Sequence, residues 1–210
     1  MYDTFDISTS VTRSEDEEVL NFKVTCKPFN EEEQRTIDAP VAELKGYVHD
    51  CLSMPGAEAF HLYDARSGHC LEALTIMQKS RSMIKRQLPR LDFDFLERVI
   101  LLERAWVDPS FRGKGLALRL MREAQHLFAR PHAFAILKAH PDRAEEGEKI
   151  TDAQCNRLAE YYGSDTQLGF KALSKKAKPG WMVAQWEAPT RESHKDQQFW
   201  SLDDEALGAD

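Results

Sequence analysis

The chain has no long apolar run. Its longest clean stretch is Val99-Ile100-Leu101-Leu102, far short of the roughly 18–20 residues that a membrane-spanning helix needs. It has no basic surplus either: 28 Lys and Arg stand against 35 Asp and Glu, a net charge of −7, whereas a general nucleic-acid binder carries a cationic excess. Cysteine is sparse. Cys26, Cys51, Cys70 and Cys155 form no C-x-x-C pair, and neither His49-Asp50-Cys51 nor His69-Cys70 has the ligand spacing of a structural zinc site. No metal is expected. The opening residues, Met1 to Asp6, offer neither a basic n-region nor an apolar h-region, so the expected compartment is the cytoplasm, with free thiols. There is no internal repeat or low-complexity tract. What remains is an ordinary globular composition, 42% hydrophobic and 30% charged. At ~150 residues per domain, 210 residues make one domain with extensions.

Residues 1–17 are polar and mostly acidic and read as a loose lead-in. The alternation of Leu20, Phe22, Val24 and Cys26 predicts a strand over 19–27. Asn30 to Glu33 reads as a turn, and 41–48 as a second strand thinned by Gly46. Met54-Pro55-Gly56 breaks the chain, 59–63 reads as a short strand, and Asp64 to Ser67 as a helix start. Cys70, Leu71, Leu74 and Met77 then fall at helical spacing. Pro89 breaks any long helix over the ambiguous 80–96. Residues 98–106 are near-continuously apolar, as a strand covered on both faces is. A tight loop, 107–115, leads to a helix from Leu116 whose Leu120, Met121, Ala124, Leu127 and Phe128 share one stripe, and Arg130-Pro131 ends it. A strand follows over 133–137 and a polar loop over 141–151. Thr151-Asp152 caps a helix to about Tyr162, with Cys155, Leu158, Ala159 and Tyr162 as its apolar face. Strands over 168–173 and 181–186 are joined by the turn signal Lys178-Pro179-Gly180. Residues 188–210 read as an acidic, poorly ordered tail.

Arg112-Gly113-Lys114-Gly115-Leu116-Ala117 lies between the apolar strand and the amphipathic helix. Such a turn presents free amides and the positive end of the helix dipole to an anion. Small residues allow a phosphate to approach the backbone, and Arg112, Lys114 and Arg119 add positive charge, so the ligand described is a pyrophosphate. The Walker A pattern is absent, because Gly115 follows Lys114. The dinucleotide pattern G-x-G-x-x-G fails at Leu118. The pattern R-x-x-G-x-[GA] after a strand ending V-x-P is filled at every position, by Arg112, Gly115 and Ala117 after Val107-Asp108-Pro109. A helix-capping loop without ligand is the plain alternative.

This loop resembles motif A of the GNAT-type N-acetyltransferases, which bind the pyrophosphate of acetyl-CoA. The resemblance is specific over 98–128 and extends more weakly to about 186, through Tyr161-Tyr162 and Leu168-Gly169-Phe170, which is similar to the family's L-G-F strand opening. Gly163 to Gln167 stands between them as an insertion. The implied fold is α/β (α+β): a mixed, mostly antiparallel sheet flanked by helices, forming one domain over 18–187. In it the strands at 98–106 and 133–138 splay apart near the loop to admit the pantetheine arm.

The resemblance implies direct transfer of an acetyl group from acetyl-CoA to an amine, in a small molecule or a protein, with no membrane or nucleic-acid partner and with a homodimer compatible. Val107, Arg112, Gly113, Lys114, Gly115, Leu116 and Ala117 are the implied cofactor-binding residues, joined by Asn156 on the later helix. A backbone amide near Trp106 or Val107 would meet the developing oxyanion. Glu103 is the candidate base. It interrupts an apolar strand, where burial is costly and raises a carboxyl pKa, unless it pairs with Arg104 or another cation or lies at an exposed strand end. Tyr162 is the candidate acid for the leaving thiolate, with Tyr161 as alternate or either as a packing aromatic; neighbours on a helix point about 100° apart, so one of them faces the cofactor. Cys155 is a weaker candidate nucleophile. Net charge −7 mildly favours a cationic acceptor. Two other functions fit the loop: a non-catalytic acyl-CoA-binding sensor, and a toxin-like acetyltransferase of charged tRNA using Lys171, Lys175, Lys176 and Lys178.

Overall fold

The computed structural model describes residues 4–13, 19–30, 35–50, 68–141, 150–174 and 178–187. In chain order the elements are β1 (Phe5–Arg13), β2 (Val19–Asn30), β3 (Arg35–Thr36), β4 (Ala42–Asp50), α1 (Gly68–Lys79), α2 (Arg81–Gln87), β5 (Arg98–Val107), α3 (Leu116–Phe128), β6 (Ala133–Lys138), α4 (Asp152–Gly163), β7 (Lys171–Ser174) and β8 (Lys178–Gln185). One mixed sheet runs β1-β2-β4-β5-β6-β8-β7, with the short β3 also paired to β2. Every pairing is antiparallel except β5 with β6. Among the described residues no helix is long and apolar enough to cross a membrane.

The apolar run of β5 explains the two layers. Ile100 and Leu102 face one side, in a core shared with Leu116, Leu120, Met121 and Phe128 of α3. Val99 and Leu101 face the other, in a core with Cys70, Ala73 and Ile76 of α1 and Ile84 of α2. Successive strand side chains alternate between faces, so a continuous hydrophobic run requires cover on both. The stripe of α3 does the matching work on one side, since residues three and four apart share a helix face. Arg98 at the start of β5 clasps Asp50 at the end of β4 in a two-pronged ion pair, Nε to Oδ1 2.6 Å and Nη2 to Oδ2 3.0 Å.

Three readings are corrected. Residues 5–13 are not a loose lead-in. They pair with β2 along their whole length, Phe5 opposite Pro28 through Arg13 opposite Leu20. Their apolar content is too low for a buried strand, but an edge strand needs only backbone pairing and one partly covered face. Lys178-Pro179-Gly180 is not the turn but the start of β8, with Ser174 paired to Lys178. The proline sits at the first positions of the strand, where a missing N–H is tolerated. The strand read over 168–173 is β7, which begins at Lys171 rather than Leu168. The turn at 31–33, the breaks and short strand within 54–67, most of the 141–151 loop, and the tail from 188 lie outside the described residues.

Two irregularities position the site. β5 and β6 pair in parallel from Arg98↔Ala133 only as far as Leu102↔Leu137, while β5 continues along β4 to Val107. Over 103–107 the β6 side of β5 is therefore unpaired by β6, and the strands part. At the same level the β4–β5 register slips: Gly46 faces Leu102 and Lys45 faces Arg104, which leaves Glu103 as the extra residue of a β-bulge.

Candidate functional site

The loop after β5 is pinned before it reaches its glycines. Asp108 N–H donates to Val41 O (2.8 Å), and the Asp108 carboxylate accepts from Ser110 N–H (2.9 Å) and from the Ser110 hydroxyl. Those hydrogen bonds hold the Asp108 carboxyl below its ordinary pKa. Gly113 and Gly115 have φ of 80° and 73°, a left-handed conformation that costs L side chains roughly 1 kcal/mol or more. A Cβ added at either would meet no protein atom within 4 Å, so the space before the loop is open. The first α3 bond is Arg119 N–H to Gly115 O (3.1 Å). The amides of Leu116, Ala117 and Leu118 thus have no acceptor inside the helix. Arg112 is exposed beside them, its Nε donating to Val107 O (3.3 Å).

The parting of β5 and β6 opens a cleft of about 570 Å³. Trp106 and Val107 form its β5 wall and the loop forms its rim, through Phe111, Arg112, Gly113, Gly115, Leu116 and Ala117. The opposite wall is α4, through Gln154, Arg157, Leu158 and both tyrosines. Along 104–107 alternate backbone groups of β5 face this cleft, because the strand is paired to β4 on one edge only.

The tyrosines differ. Tyr162 is buried and Tyr161 is 40% exposed, with ring centroids 5.6 Å apart. Burial pushes the Tyr161 phenol up, with Arg122 opposing the shift. Tyr162 also lines a second cavity, of about 510 Å³. The two spaces share Ala105, His140, Pro141 and Tyr162, so Tyr162 borders both. Glu103 lines this second cavity. It is half-buried rather than buried, because the bulge turns it toward the cavity instead of leaving it in the strand's apolar alternation. The burial that the sequence pattern suggested for it is absent.

Two expected cofactor contacts fall elsewhere. The Lys114 ammonium lies over the rings of Phe111 (5.4 Å) and Phe5 (6.0 Å), and Lys114 is not among the residues that line the cleft. Asn156 lines a separate cavity beside Gly163, Phe170 and Met182. The physical reason is helical spacing. Counting back from Tyr161 by three, four and seven gives Leu158, Arg157 and Gln154, the residues that reach the cleft; Asn156 falls off that stripe. That same count was the available signal for Gln154 and Arg157, which sequence reading missed. His140 and Phe111 carried no such signal. Cys155 is buried, and burial pushes its thiol up, with Lys138 opposing, which disfavours the thiolate that a nucleophile requires. Of the lysine cluster, Lys171 donates to Gln87 O (3.0 Å), and Lys175 and Lys176 lie outside the described residues.

The segment after the tyrosines is fixed by a buried anion. The Asp165 carboxylate accepts from Gln167 N–H (3.0 Å) and Leu168 N–H (3.1 Å) and pairs with Arg122 of α3 (Nη2 to Oδ2 2.6 Å). Burial opposes its ionisation, but the Leu168 amide and Arg122 outweigh it and lower the carboxyl. The apparent insertion is therefore an anchor between α3 and the end of α4. Among the described residues no three His, Cys, Asp or Glu side chains come together as metal ligands would. No family model matches this chain, and no curated protein is similar to it.

Proposed function

We propose that this chain is a GNAT-type N-acetyltransferase that moves the acetyl group of acetyl-CoA directly to an amine. The observation that carries this reading is the end of β5–β6 pairing at Leu102↔Leu137, which opens the cleft between the glycine loop and Tyr161-Tyr162. Acetyl-CoA, when bound, supplies the acetyl group as a thioester, whose C–S bond breaks as the amine's C–N bond forms. The chain's residues have these roles. The free amides of 116–118, with Arg112 and Arg157, hold the pyrophosphate, for which the open space before Gly113 and Gly115 leaves room. A β5 amide near Trp106 or Val107 donates to the carbonyl oxygen. Glu103 takes one proton from the attacking ammonium through water, Tyr162 gives its hydroxyl proton to the leaving sulfur, and the second proton shed by the acylated nitrogen restores the Tyr162 hydroxyl. Tyr162 fits that role because it borders both spaces at once.

The test is calorimetric titration with acetyl-CoA, joined to a thiol-release assay over a panel of amines. Binding together with amine-dependent release of CoA is the expected result, and Glu103→Gln lowers turnover with little loss of acetyl-CoA affinity. Absence of acetyl-CoA binding overturns the reading. Tight binding with no thiol release from any amine leaves an acyl-CoA sensor.

A further inference from the structure

We infer that Asp165 is a positioning residue for the transfer: through Arg122 it braces the two walls of the cofactor cleft and sets how far Tyr162 stands from the amides that open α3. This rests on the acetyltransferase reading and on the role of Tyr162 within it.

The two walls stand on different parts of the sheet. α3, which carries the amides, packs on β2, β4 and β5, whereas α4, which carries the tyrosines, packs on β7 and β8. Between them lies the seam where β5 and β6 stop pairing, after Leu102↔Leu137. At the level of the cleft the ladder no longer fixes the spacing of the walls. Apolar contact does part of that work, since Tyr162 and Ala159 share a core with Leu116, Leu120 and Met121, but such contact is non-directional. Arg122 and Gln125 supply direction. They lie three residues apart on one face of α3, and both reach the segment that follows α4. Arg122 gives Nε (2.8 Å) and Nη2 (2.6 Å) to Asp165 Oδ2, and Gln125 Nε2 donates to Gln167 O (3.0 Å). Charge-assisted hydrogen bonds of this kind are short and fix geometry.

Asp165 transmits the grip in both directions. Its side chain is 2% exposed, and its other oxygen accepts from Gln167 N–H (3.0 Å) and Leu168 N–H (3.1 Å). Leu168 O in turn accepts from Trp186 Nε1 (3.0 Å), just past the end of β8. Toward the helix, only Gly163 and Ser164 separate Asp165 from Tyr162. Ser164 holds Tyr161 O with both its N–H (3.3 Å) and its hydroxyl (2.7 Å). A carboxylate gripped by four donors and so close to the tyrosines leaves them little slack. At the other end, Arg122 follows Leu118 by one turn on the same face of α3, and the Leu118 amide is one of the three that face the pyrophosphate. Burial raises the Tyr161 phenol, Arg122 opposes that shift and Asp165 adds to it, so the pair lies within electrostatic reach of the tyrosines. The brace takes no part in bond making; it holds the acid and the phosphate site at one separation.

The experiment separates kcat from cofactor affinity in the full chain. Asp165→Asn keeps Oδ1 for the two amides but turns an NH2 group toward Arg122. Arg122→Gln breaks the same pair from its half-exposed end. Each is expected to lower kcat for CoA release by ~10- to 100-fold, since a misplacement of about 1 Å far from the chemistry costs as much as the upper figure. The calorimetric Kd for acetyl-CoA stays within about 3-fold of the parent. Turnover is counted per acetyl-CoA-binding site, from the stoichiometry of the titration, so a brace that merely held the fold together would leave it unmoved. Arg122→Lys still offers Asp165 one charged donor and recovers part of the loss. The double variant is no slower than the slower single one, because both changes remove one contact. Should Asp165→Asn fail to fold, the Arg122 variants decide alone. Per-site kcat within about 2-fold of the parent in Arg122→Gln overturns this inference and leaves the acetyltransferase reading standing. Acetyl-CoA affinity falling in step with kcat does the same. A parent that binds no acetyl-CoA, or binds it and releases no thiol with any amine, overturns both.

Discussion

Gly46 is the position at which the bulge is most exposed to attack by mutation. A Cβ built there falls against the Leu101 carbonyl oxygen and within 2.5 Å of Phe22 Cζ and 2.7 Å of Phe22 Cε1. The ring can turn away; the carbonyl, fixed in the β5 backbone, cannot. Overpacking of this kind costs about 1–3 kcal/mol, and a backbone obstacle puts Gly46→Ala at the upper end, ~2–3 kcal/mol. At ~2–4 °C per kcal/mol for a chain of this size, the melting temperature falls by roughly 4–12 °C. Because Gly46 faces Leu102 beside the register slip, the strain is relieved by moving β5, and Glu103 and Arg104 move with it. Amine turnover should drop further than acetyl-CoA affinity, since the loop and α4 lie away from the contact. The control is Gly68→Ala, where a Cβ meets nothing within 4 Å and no loss is expected. Phe22→Leu in the Gly46→Ala background should rescue stability only in part, because the carbonyl remains. Thermal unfolding followed by far-UV circular dichroism decides the matter. A Gly46→Ala protein melting within about 1 °C of its parent refutes the argument that this close approach fixes the bulge.

Other perturbations test the site in different ways. Gly115→Glu combines a φ of 73° with a carboxylate placed where a phosphate would sit, and abolishes acetyl-CoA binding by calorimetry; unchanged affinity removes the loop from the mechanism. Tyr162→Phe lowers kcat by about 100-fold or more at nearly constant KM for acetyl-CoA, on the usual scale of general acid catalysis, whereas Tyr161→Phe has the smaller effect; the reverse order exchanges their roles. Asp165→Asn costs about 1–3 kcal/mol, a buried-pair loss discounted for the half-exposed Arg122. Because the folded carboxyl of Asp165 lies below its ordinary value, its contribution is complete above about pH 4 and fades as pH falls through the folded pKa. The urea midpoints of parent and Asp165→Asn should therefore converge only in strong acid, and a gap independent of pH contradicts the ionic account.

Much of the core was legible because periodicity and burial report the same thing. The run at 98–106 and the stripe from Leu116 to Phe128 each have one packing solution, and both formed as read. The loop was legible because the left-handed backbone at Gly113 and Gly115 favours glycine. β1 was missed because an edge strand draws its stability from backbone pairing, which leaves no apolar signature. The placement of Lys114 was not legible for a different reason. A charge in sequence near an anion site is not thereby aimed at it, and here the ammonium lies over the loop's own Phe111 and over Phe5 of the distant first strand. The bulge could not be read at all. It is a property of register between β4 and β5, and nothing in either strand alone declares it except the glycine that makes room for it.

The capture of Lys114 ties together parts of the chain that are far apart in sequence. Phe5 begins the sheet's outermost strand, packs edge-on against Phe111 at 6.2 Å, and shares the Lys114 ammonium with it. The glycine loop and the first strand are thereby one mechanical unit. Free-energy coupling is reciprocal: whatever steadies the loop slows the fraying of β1, and whatever loosens β1 raises the entropy that a ligand must remove from the loop. The amide exchange of an edge strand ordinarily records local fraying alone; under the proposed function, exchange in β1 is expected to slow as acetyl-CoA is titrated in.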